Sequence, residues 1–506
     1  MSQATDNNKR IAKNTLLLYI RMLFMMIVSL YTSRVILDAL GVEDFGIYNV
    51  VGGVVAMFSV ISGSLSASIS RFITFELGKG DQSKLNKIFS ASVTIQILLS
   101  LIVVILIEIV GVWFLNSKMI IPADRILAAN WVLQFSVVTF VINLISVPYN
   151  ASIIAHEKMS AFAYISILEA IGKLIIAYLI VIAPMDKLVF YSILMCSVAI
   201  IIRFTYGYYC KRHFKECTYH FCWDKELLKN MFGFAGWNFI GAASSVLRDQ
   251  GGNVVINLFF GPSVNAAKGI AMQVNSAISG FVSNFMTALN PQITKSYASG
   301  NQDYMMALIF QGAKFSFYML LLLSLPVIIN THYILGLWLK LVPEHAVLFV
   351  RLTLLFAMSE SISNPLITAM LATGRIRNYQ IMVGGLQMLN LPISYIFLPE
   401  SVLFVAIFIS QCCLVARLYM LRGMIGLSSV KYLKHVYLKV LMVMSTSAIL
   451  PILLLKNINE TFLSFLVISV VSILTTSISI FYIGCSKEER VFVWAKVSAL
   501  CAKIRR

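Results

Sequence analysis

Charged residues are scarce in this sequence. Lys, Arg, Asp and Glu make up 12% of the 506 residues, whereas hydrophobic residues make up 59%, and the mean hydropathy is +0.84. A water-soluble domain of this composition would have to expose a very large apolar surface. The composition therefore excludes an ordinary soluble protein and indicates a chain that crosses a membrane several times.

Motifs for ATP hydrolysis and for zinc proteolysis are absent. The sequence has no G-x-x-x-x-G-K-[ST] phosphate loop and no H-E-x-x-H helix. None of its six histidines, at positions 156, 213, 220, 332, 345 and 435, lies deep in an apolar segment, which argues against a histidine proton relay within the membrane. We therefore expect no enzyme and no cofactor, and energy from an ion gradient, the membrane potential or consumption of a product outside.

Eight cysteines are present, and one group of them lies close to histidines. This group consists of Cys210, His213, Cys217, His220 and Cys222. Thiols and imidazoles are zinc ligands, but the spacing here matches no familiar zinc pattern. We expect reduced thiols, no metal site and no disulfides.

Apolar segments long enough to cross a bilayer recur along the whole chain. A membrane-spanning helix needs roughly 20 mostly apolar residues. The first segment carries Arg21 and Arg34 and is followed by no small-residue cleavage site, so we expect it to remain rather than to be removed as a signal peptide. The hydropathy pattern predicts about fourteen such helices, over residues 15–37, 45–70, 88–115, 126–148, 161–183, 186–209, 231–260, 266–290, 305–329, 344–371, 378–398, 401–422, 435–455 and 461–484.

The positions of Lys and Arg predict the orientation of these helices. If the N-terminus is cytoplasmic, 26 of these residues lie on the cytoplasmic side and only six, at 118, 125, 187, 268, 340 and 456, lie outside. This asymmetry follows the positive-inside rule, with both termini in the cytoplasm. The net charge of +18 is then spread over loops that face anionic lipid headgroups, so we expect membrane lipids and no nucleic acid as partners.

A weak internal repeat suggests how the helices are grouped. Matching residues recur about 220 positions apart, where Val35, Ile36, Gly41, Ser59, Ile73, Thr74 and Gly80 correspond to Val255, Ile256, Gly261, Ser279, Ile293, Thr294 and Gly300. A repeat of six spans preserves orientation, so it predicts two pseudo-symmetric six-helix lobes around a central cavity. The predicted fold is an all-α polytopic membrane protein with an N-lobe at 1–209, a basic cytoplasmic linker at 210–229, a C-lobe at 230–423, two extra helices at 424–484 and an amphipathic cytoplasmic tail at 485–506.

Several cations lie within the predicted spans. A charged side chain at the bilayer centre costs roughly 2.5–3.5 kcal/mol, so it normally faces a partner or a watery cavity. We predict that four of them bind an anionic substrate, namely Arg21, Arg34, Arg248 and Lys314. An ion pair with Asp38, one helical turn away, is the alternative for Arg34. Ser29 and Thr32 share nearly the same helical face as Arg21, which favours a cavity-facing surface.

Other charged residues within the spans suggest different roles. Arg203 and Arg417 lie near cytoplasmic ends, where a long side chain can reach the headgroups. Glu169 and Lys173 are four residues apart, a spacing that favours mutual neutralisation. Asp249 follows Arg248 and precedes a glycine pair, and Glu360 precedes Pro365 in a serine-rich stretch, so these two acids are our candidates for binding a coupling ion.

Two stretches of the chain resemble a known family. They are Leu40-Gly41-Val42-Glu43-Asp44-Phe45-Gly46-Ile47-Tyr48 and Asn253-Val254-Val255-Ile256-Asn257-Leu258-Phe259-Phe260-Gly261-Pro262 with Asn284 to Ile293. Both are similar to the lobe entries of polysaccharide and O-antigen flippases, within the multidrug/oligosaccharidyl-lipid/polysaccharide exporter superfamily. The resemblance implies that an undecaprenyl-diphosphate-linked oligosaccharide of an O-antigen, capsule or exopolysaccharide moves to the outer leaflet of a bacterial inner membrane by alternating access. It also implies H+ or Na+ as a coupling ion and other polysaccharide assembly proteins as partners.

Two other functions remain as alternatives. A multidrug and toxin extrusion antiporter of the same superfamily exports organic cations and needs carboxylates in its first-lobe cavity. Here the first span carries arginines, and its one acid, Asp38, lies at the outer edge. A membrane glycosyltransferase or polymerase would need long outer loops with catalytic acids, but the predicted outer loops are short.

Overall fold

The protein is built from α-helices. The computed structural model describes residues 2–56, 59–117, 121–221, 223–339, 342–396, 402–457, 461–491 and 494. Within these residues the chain forms eighteen α-helices and no β-strand. In chain order, α1 to α9 are Ser2–Ala56, Ser59–Lys79, Gln82–Leu106, Val112–Ser117, Ile126–Ala155, Met159–Leu179, Lys187–His213, Lys225–Ala298 and Gln302–Ile329. Helices α10 to α18 are Thr331–Trp338, Ala346–Ser361, Asn364–Thr373, Arg377–Met388, Asn390–Ile396, Val402–Ile425, Ser429–Tyr432, Leu438–Asn457 and Phe462–Ser479.

Most predicted spans coincide with long apolar helices. Nine helical segments of the described chain are long and apolar enough to cross a bilayer, and the pair α11 and α12, bent by 41°, adds a tenth. These segments confirm an all-α polytopic membrane protein. The other four predicted spans, 45–70, 231–260, 266–290 and 378–398, fall on the end of α1 with α2, on α8, and on α13 with α14. The number fourteen therefore stays a prediction.

The outer faces of the helices are strongly apolar. Large side chains such as Phe204, Tyr419 and Leu463 expose 71–74% of their surface. In water such a surface would drive aggregation, whereas lipid tails solvate it without cost. The exposed residues therefore identify the faces that contact lipid.

Gly41 interrupts the helical geometry within α1. Its backbone has φ 79° and ψ 167°, values that a residue without a Cβ adopts at little steric cost. The interruption lies between the first two predicted spans. A helix of 55 residues is thus divided into two segments at the place where the hydropathy pattern changes.

The chain divides into two compact units. The first unit comprises Met1–Ala243 and Thr294–Asn301, and the second comprises Ser244–Ile293 and Gln302–Arg506. In the first unit α5 packs against α7, and α1 packs against α6. In the second unit α9 packs against α18, and α11 packs against α15. The finer division into lobes, linker, extra helices and tail stays a prediction.

Three of the scarce acids begin helices. Asp81, Asp186 and Asp224 precede α3, α7 and α8, and each side chain accepts hydrogen bonds from backbone N–H groups of the first turn. These N–H groups have no partner within the helix itself. The acids therefore define where the polar connections end and the helices start.

Within the first unit, α2 closely approaches the segment Thr294–Asn301. A Cβ atom built on Gly78 would lie 2.8 Å from the Cβ of Ala298 and 2.9 Å from the Cα of Lys295. Contacts this short with backbone atoms require the backbone to move. Gly78 is therefore the residue that permits this packing.

We predict that Gly78→Ala and Gly63→Ala change stability in opposite directions. Alanine at Gly78 forces two backbones apart and should lower the free energy of unfolding by about 1–3 kcal/mol. Gly63 lies in the same helix with nothing within 4 Å of a built Cβ, so alanine there should raise stability by about 0.5–1 kcal/mol. The midpoint of thermal unfolding in detergent measures both, and a rise in the midpoint for Gly78→Ala would contradict the packing.

Candidate functional site

Arg21 lies among aromatic and polar side chains of the first unit. Its guanidinium is 4.4 Å from the ring centre of Phe162. Tyr206 in α7 and Glu169 in α6 are near enough to interact with it electrostatically. Its Nε atom is buried without a hydrogen-bond partner in the described part of the chain. A buried guanidinium N–H that no protein group accepts is available to an anion or to water.

The rest of the predicted polar face of α1 is divided, because Ser29 is exposed and Thr32 is not. Thr32 is buried and donates its hydroxyl proton to the carbonyl oxygen of Val28 in its own helix. Arg34 and Asp38 are both exposed, and no ion pair joins these two described side chains. The structure therefore does not form the alternative ion pair, and it leaves Arg34 accessible near one end of the first span.

Arg248, Asp249 and Lys268 form a cationic cluster in the second unit. Arg248 Nε donates to Asp249 Oδ1 at 2.9 Å, and its guanidinium lies 5.0 Å from the ring centre of Phe356. Lys268 Nζ reaches the backbone oxygen of Asp249 at 3.5 Å. Two cations thus meet one acid, which leaves one positive charge without a matching acid inside the cluster.

Lys268 is a residue that sequence reasoning missed. The topology placed it in an outer loop, whereas its side chain is buried within α8. A lysine 19 residues from the acid that it approaches has no helical spacing that would reveal the contact. Only the fold brings it to Asp249.

Lys314 is paired with an acid that lies far away in the sequence. Its Nζ contacts Oε1 and Oε2 of Glu489 at 3.0 and 2.9 Å, and both side chains are buried. Glu489 also accepts a hydrogen bond from the backbone N–H of Ser486. The ion pair holds the residues just after the last membrane span against α9.

The predicted amphipathic tail is described only in part. Val491 and Trp494 are exposed, and the remainder of the tail after Val491 lies outside the described residues.

Glu360 belongs to a polar network inside the second unit. Its Oε1 accepts a hydrogen bond from Ser410 at 2.6 Å, and Ser410 in turn contacts the hydroxyl of Ser359 at 3.0 Å. Gln411 extends the network to Tyr437, whose hydroxyl donates to its Oε1 at 3.0 Å. The acid lies just before the bend between α11 and α12. It is therefore held by hydroxyls and not by a direct ion pair among the described residues.

Arg417 corrects an expectation from the sequence. Only 1% of its surface is exposed, so its side chain does not reach the headgroups. It lies near Tyr379 and Glu360, with which it interacts electrostatically, while its Nε and Nη1 atoms are buried without a partner in the described chain. Arg203 is half-buried, with its guanidinium 3.9 Å from the ring centre of Tyr149. Glu169 and Lys173 form the expected ion pair, at 2.6 Å.

Glu157 connects three separate segments of the first unit. It occupies the left-handed region at φ 59°, and only 2% of its side chain is exposed. Its carboxylate binds Arg10 Nε at 2.8 Å and Lys295 Nζ at 2.7 Å, and its backbone oxygen accepts a hydrogen bond from Asn14. The acid thus holds the start of α1 and the end of α8 to the turn between α5 and α6. Burial lowers the pKa of Lys295 below its ordinary value, against the opposing effect of Glu157.

A second polar pair lies beside this turn. Glu216 contacts His156 Nε2 at 2.5 Å and accepts a hydrogen bond from Gln82 at 3.2 Å. Burial by itself would raise the pKa of Glu216, but these hydrogen bonds hold that pKa below its ordinary value. The His156 ring stacks on Phe214 at 4.1 Å. The predicted linker is therefore ordered against the first unit where the structure describes it.

The Cys/His group forms no assembled metal site in the described part of the chain. No cluster of three or more His, Cys, Asp or Glu side chains there has metal-binding geometry. Cys210 contacts the carbonyl oxygen of Tyr149, and His213 that of Tyr209. Cys222, the last member of the group, lies outside the described residues.

The model of the polysaccharide biosynthesis protein family matches residues 9–297, more than half of the chain. The chain belongs to this family. It is also similar to the uncharacterized membrane protein EpsK of Bacillus subtilis (strain 168), with 20% identity over 290 residues. That match covers 56% of this chain and 56% of the relative, so it spans little more than half of the relative's length. The resemblance that the two motif stretches suggest is confirmed.

Solved structures share the fold of this family member. The chain matches MATE in the bent conformation with a TM-score of 0.73 and 13% identity, and an outward-facing multidrug resistance MATE family transporter of the MOP superfamily with 0.70 and 13%. It matches the MATE transporter ClbM in complex with Rb+ with 0.68 and 14%. Each match covers 83% of this chain and 96% of the other. At these identities the likeness establishes the fold, which is that of two-lobe membrane transporters.

We predict that Glu157→Gln destabilises the protein. The substitution preserves the size of the side chain but leaves Arg10 and Lys295 without their counter-charge. Breaking a wholly buried ion pair costs about 3–5 kcal/mol, and we expect a smaller loss because half of the Arg10 side chain is exposed. The midpoint of thermal unfolding in detergent should fall.

Glu488→Gln is the matched control, since Glu488 is exposed. Its midpoint should equal that of the wild type. Equal midpoints for Glu157→Gln and Glu488→Gln would show that the Glu157 cluster does not stabilise the first unit.

Proposed function

We propose that this chain is a flippase. Its substrate is an oligosaccharide attached to a polyprenyl diphosphate such as undecaprenyl diphosphate, for an O-antigen, capsule or exopolysaccharide. It moves the headgroup from the cytoplasmic to the outer leaflet of a bacterial inner membrane, with both termini in the cytoplasm. The family and the transporter fold support transport in polysaccharide synthesis. The anionic, lipid-linked nature of the substrate is our inference from the charges in the membrane-spanning helices.

The observation that carries the proposal is the excess of positive charge around Asp249. Arg248 pairs with the carboxylate of Asp249, whereas Lys268 reaches only the backbone oxygen of that residue. An uncompensated cation within the membrane costs several kcal/mol unless an anion or water joins it. A diphosphate supplies the missing negative charge, and Arg presents paired N–H donors that match phosphate oxygens.

Arg21 is our second candidate for binding the diphosphate. Its buried Nε atom has no partner in the described chain. A phosphate oxygen could therefore accept a hydrogen bond from this Nε–H without displacing an existing hydrogen bond. Arg34, which is exposed near the outer end of the same span, is our candidate for the last contact with the headgroup before it leaves for the outer leaflet. Lys314 is already neutralised by Glu489, so in this mechanism the pair opens only if the turn after α18 moves.

The same charges weigh against export of organic cations. A drug antiporter needs an acid with no counter-ion in its first-lobe cavity. Glu169 is paired with Lys173, Glu108 is exposed toward the outer end of the predicted span 88–115, and Asp38 is at the outer edge. We therefore place the multidrug antiporter second.

We predict that Arg248→Ala slows lipid translocation about 10- to 100-fold. Hydrogen bonds to charged groups are worth about 1.5–3 kcal/mol, and each 1.4 kcal/mol is about tenfold. The measurement is the rate at which a fluorescent polyprenyl-diphosphate oligosaccharide crosses the bilayer of proteoliposomes. Arg248→Lys, which retains the charge but not the paired donors, should be intermediate.

Arg422→Ala is the control, because Arg422 is an exposed arginine at the end of α15. It should transport at the wild-type rate. If the wild-type protein moves no lipid but exports an organic cation when an ion gradient is imposed, the flippase proposal is overturned in favour of the drug antiporter.

We further propose that Glu360 binds the coupling ion, H+ or Na+. Its carboxylate accepts a hydrogen bond from the hydroxyl of Ser410 and interacts electrostatically with the buried Arg417. A proton or a monovalent cation on Glu360 would compete with Arg417, so ion binding can alter the packing of α11 against α15. Asp249, which is paired with Arg248, is the other candidate.

We predict that Glu360→Gln abolishes gradient-driven acceleration but retains basal translocation. The amide preserves the hydrogen bond from Ser410 and cannot bind a proton or cation in the same way. The measurement compares proteoliposome transport with and without an imposed pH or Na+ gradient. If Asp249→Asn removes the acceleration and Glu360→Gln does not, the coupling role belongs to Asp249.

A further inference from the structure

A cleft of about 190 Å³ lies wholly within the first unit. The part of α1 after Gly41 contributes Tyr48, Gly52 and Val55 to its lining, and α5 and α7 contribute the other lining residues of the described chain. None of the lining residues is charged. The cleft is therefore chemically distinct from the cationic cluster of the second unit.

The α5 wall of the cleft combines aromatic and polar side chains on one helical face. Ser136, Thr139, Phe140 and Asn143 follow the i, i+3, i+4, i+7 spacing that places side chains together, and Phe135 lies one helical turn before Thr139. Thr139 donates its hydroxyl proton to its own helix and retains free lone pairs. Asn143 is exposed, and its carboxamide has no protein partner among the described residues.

An unpartnered carboxamide is costly in a membrane-spanning helix. Each unsatisfied polar group in hydrocarbon costs several kcal/mol, so such groups face water-filled spaces or ligands. Asn143 can donate two hydrogen bonds and accept two at one site. Its orientation into the cleft implies a ligand, or water that a ligand replaces, with both donors and acceptors.

Neighbouring rings hold the aromatic walls in place. Tyr48 packs edge-to-face on Tyr191 with ring centres 4.7 Å apart. Phe135 stacks on Trp131 at 5.9 Å with an interplanar angle of 26°. Rings that are already immobilised lose little entropy when a ligand packs against them. The cleft is thus preorganised for a ligand with an apolar face.

These features together select a neutral, polyhydroxylated ring. A sugar presents C–H groups that pack on aromatic faces and hydroxyls that both donate and accept. The absence of charge in the lining disfavours a phosphate or an organic cation. The volume is below the roughly 300–1,000 Å³ of pockets that enclose drug-sized ligands, so it fits one or two sugar rings and not a whole oligosaccharide.

We infer that this cleft binds a neutral sugar residue of the lipid-linked oligosaccharide, with Asn143 as its main hydrogen-bonding group. This inference rests on the proposed flippase function and adds to it a site whose binding depends on the glycan. The cationic side chains that we propose for diphosphate binding recognise the negative charge that all such lipids share. The cleft distinguishes a completed glycan from the bare carrier lipid.

The test measures the affinity of the purified full-length protein for two probes. One probe is the lipid-linked oligosaccharide extracted from the producing cells, and the other is polyprenyl diphosphate without sugar. The wild type should bind the glycosylated lipid more tightly. Asn143→Leu should weaken binding of the glycosylated lipid about tenfold, from the loss of one or two hydrogen bonds, and should leave binding of the bare lipid unchanged.

Two further variants make the result specific. Gly52→Leu adds a side chain from the opposite wall, where a built Cβ meets nothing within 4 Å, and it should produce the same selective loss by filling the cleft. Gln134→Leu removes a carboxamide from the same helix at a position that does not line the cleft, and it should bind both probes as the wild type does. Because Gly52→Leu acts from α1, it tests the site even if Asn143→Leu fails to fold.

The outcomes separate the two proposals. Wild-type protein that binds neither probe overturns the flippase itself. Wild-type protein that prefers the glycosylated lipid, with Asn143→Leu and Gly52→Leu showing the same preference, overturns the sugar site and leaves the flippase standing. A variant whose affinity falls equally for both probes also overturns the sugar site, because the lost interaction is then one that the bare lipid makes as well.

Discussion

The poor solvation of ions in hydrocarbon is the constraint on which this structure depends. An ionised side chain in a membrane-spanning helix needs a counter-ion, an aromatic face or water. Lys314 has Glu489, Arg203 has the ring of Tyr149, and Lys173 has Glu169. Because these cations are accounted for by the protein itself, the few that are not become informative. Arg21 stands out because its Nε atom has no hydrogen-bond partner among the described residues although Phe162 lies under its guanidinium. Lys268 stands out because Asp249, the acid that it approaches, is already paired with Arg248.

The same constraint explains how few acids the chain contains and where they lie. Some acids begin helices, where backbone N–H groups satisfy them, and others hold cations of distant segments. Glu157 is the clearest example, since one buried carboxylate binds Arg10 and Lys295 and fixes a turn in a strained backbone conformation. A left-handed backbone at a residue with a side chain is unfavourable by roughly 1–3 kcal/mol. The ion pairs compensate for that strain.

Hydropathy predicted the fold well where a span is one long apolar helix. The segments at 126–148 and 305–329 correspond to α5 and α9 within a few residues, because about 20 consecutive apolar residues have few alternatives in a bilayer. The hydropathy pattern was less decisive where a predicted span falls on two short helices or where two predicted spans fall within one long helix. The described part of the span predicted at 378–398 consists of the two short helices α13 and α14, and the predicted spans at 231–260 and 266–290 lie within the continuous α8.

The candidate site was less predictable than the fold. Helical spacing revealed the Glu169–Lys173 pair, since four residues make one turn. It could not reveal that Glu489 neutralises Lys314 from 175 residues away, or that Lys268 approaches Asp249. Depth along a span also misled, because Arg417 lies near a helix end yet packs inward against Tyr379. Which face of a helix is buried depends on neighbours that the local sequence does not specify.

Under the proposed flippase function, this distribution of charge implies two kinds of recognition, which match the two parts of the proposed substrate. A diphosphate needs cations, whereas the sugars attached to it need neutral donors and acceptors beside apolar rings. Charge alone would not select the substrate, because the phospholipids of the same membrane also carry phosphate. A neutral cleft would add the discrimination that the cations lack, since the carboxamide of Asn143 would gain hydrogen bonds only from a lipid that carries sugar. Selective transport of a glycolipid among excess phospholipid therefore requires both kinds of site in one chain.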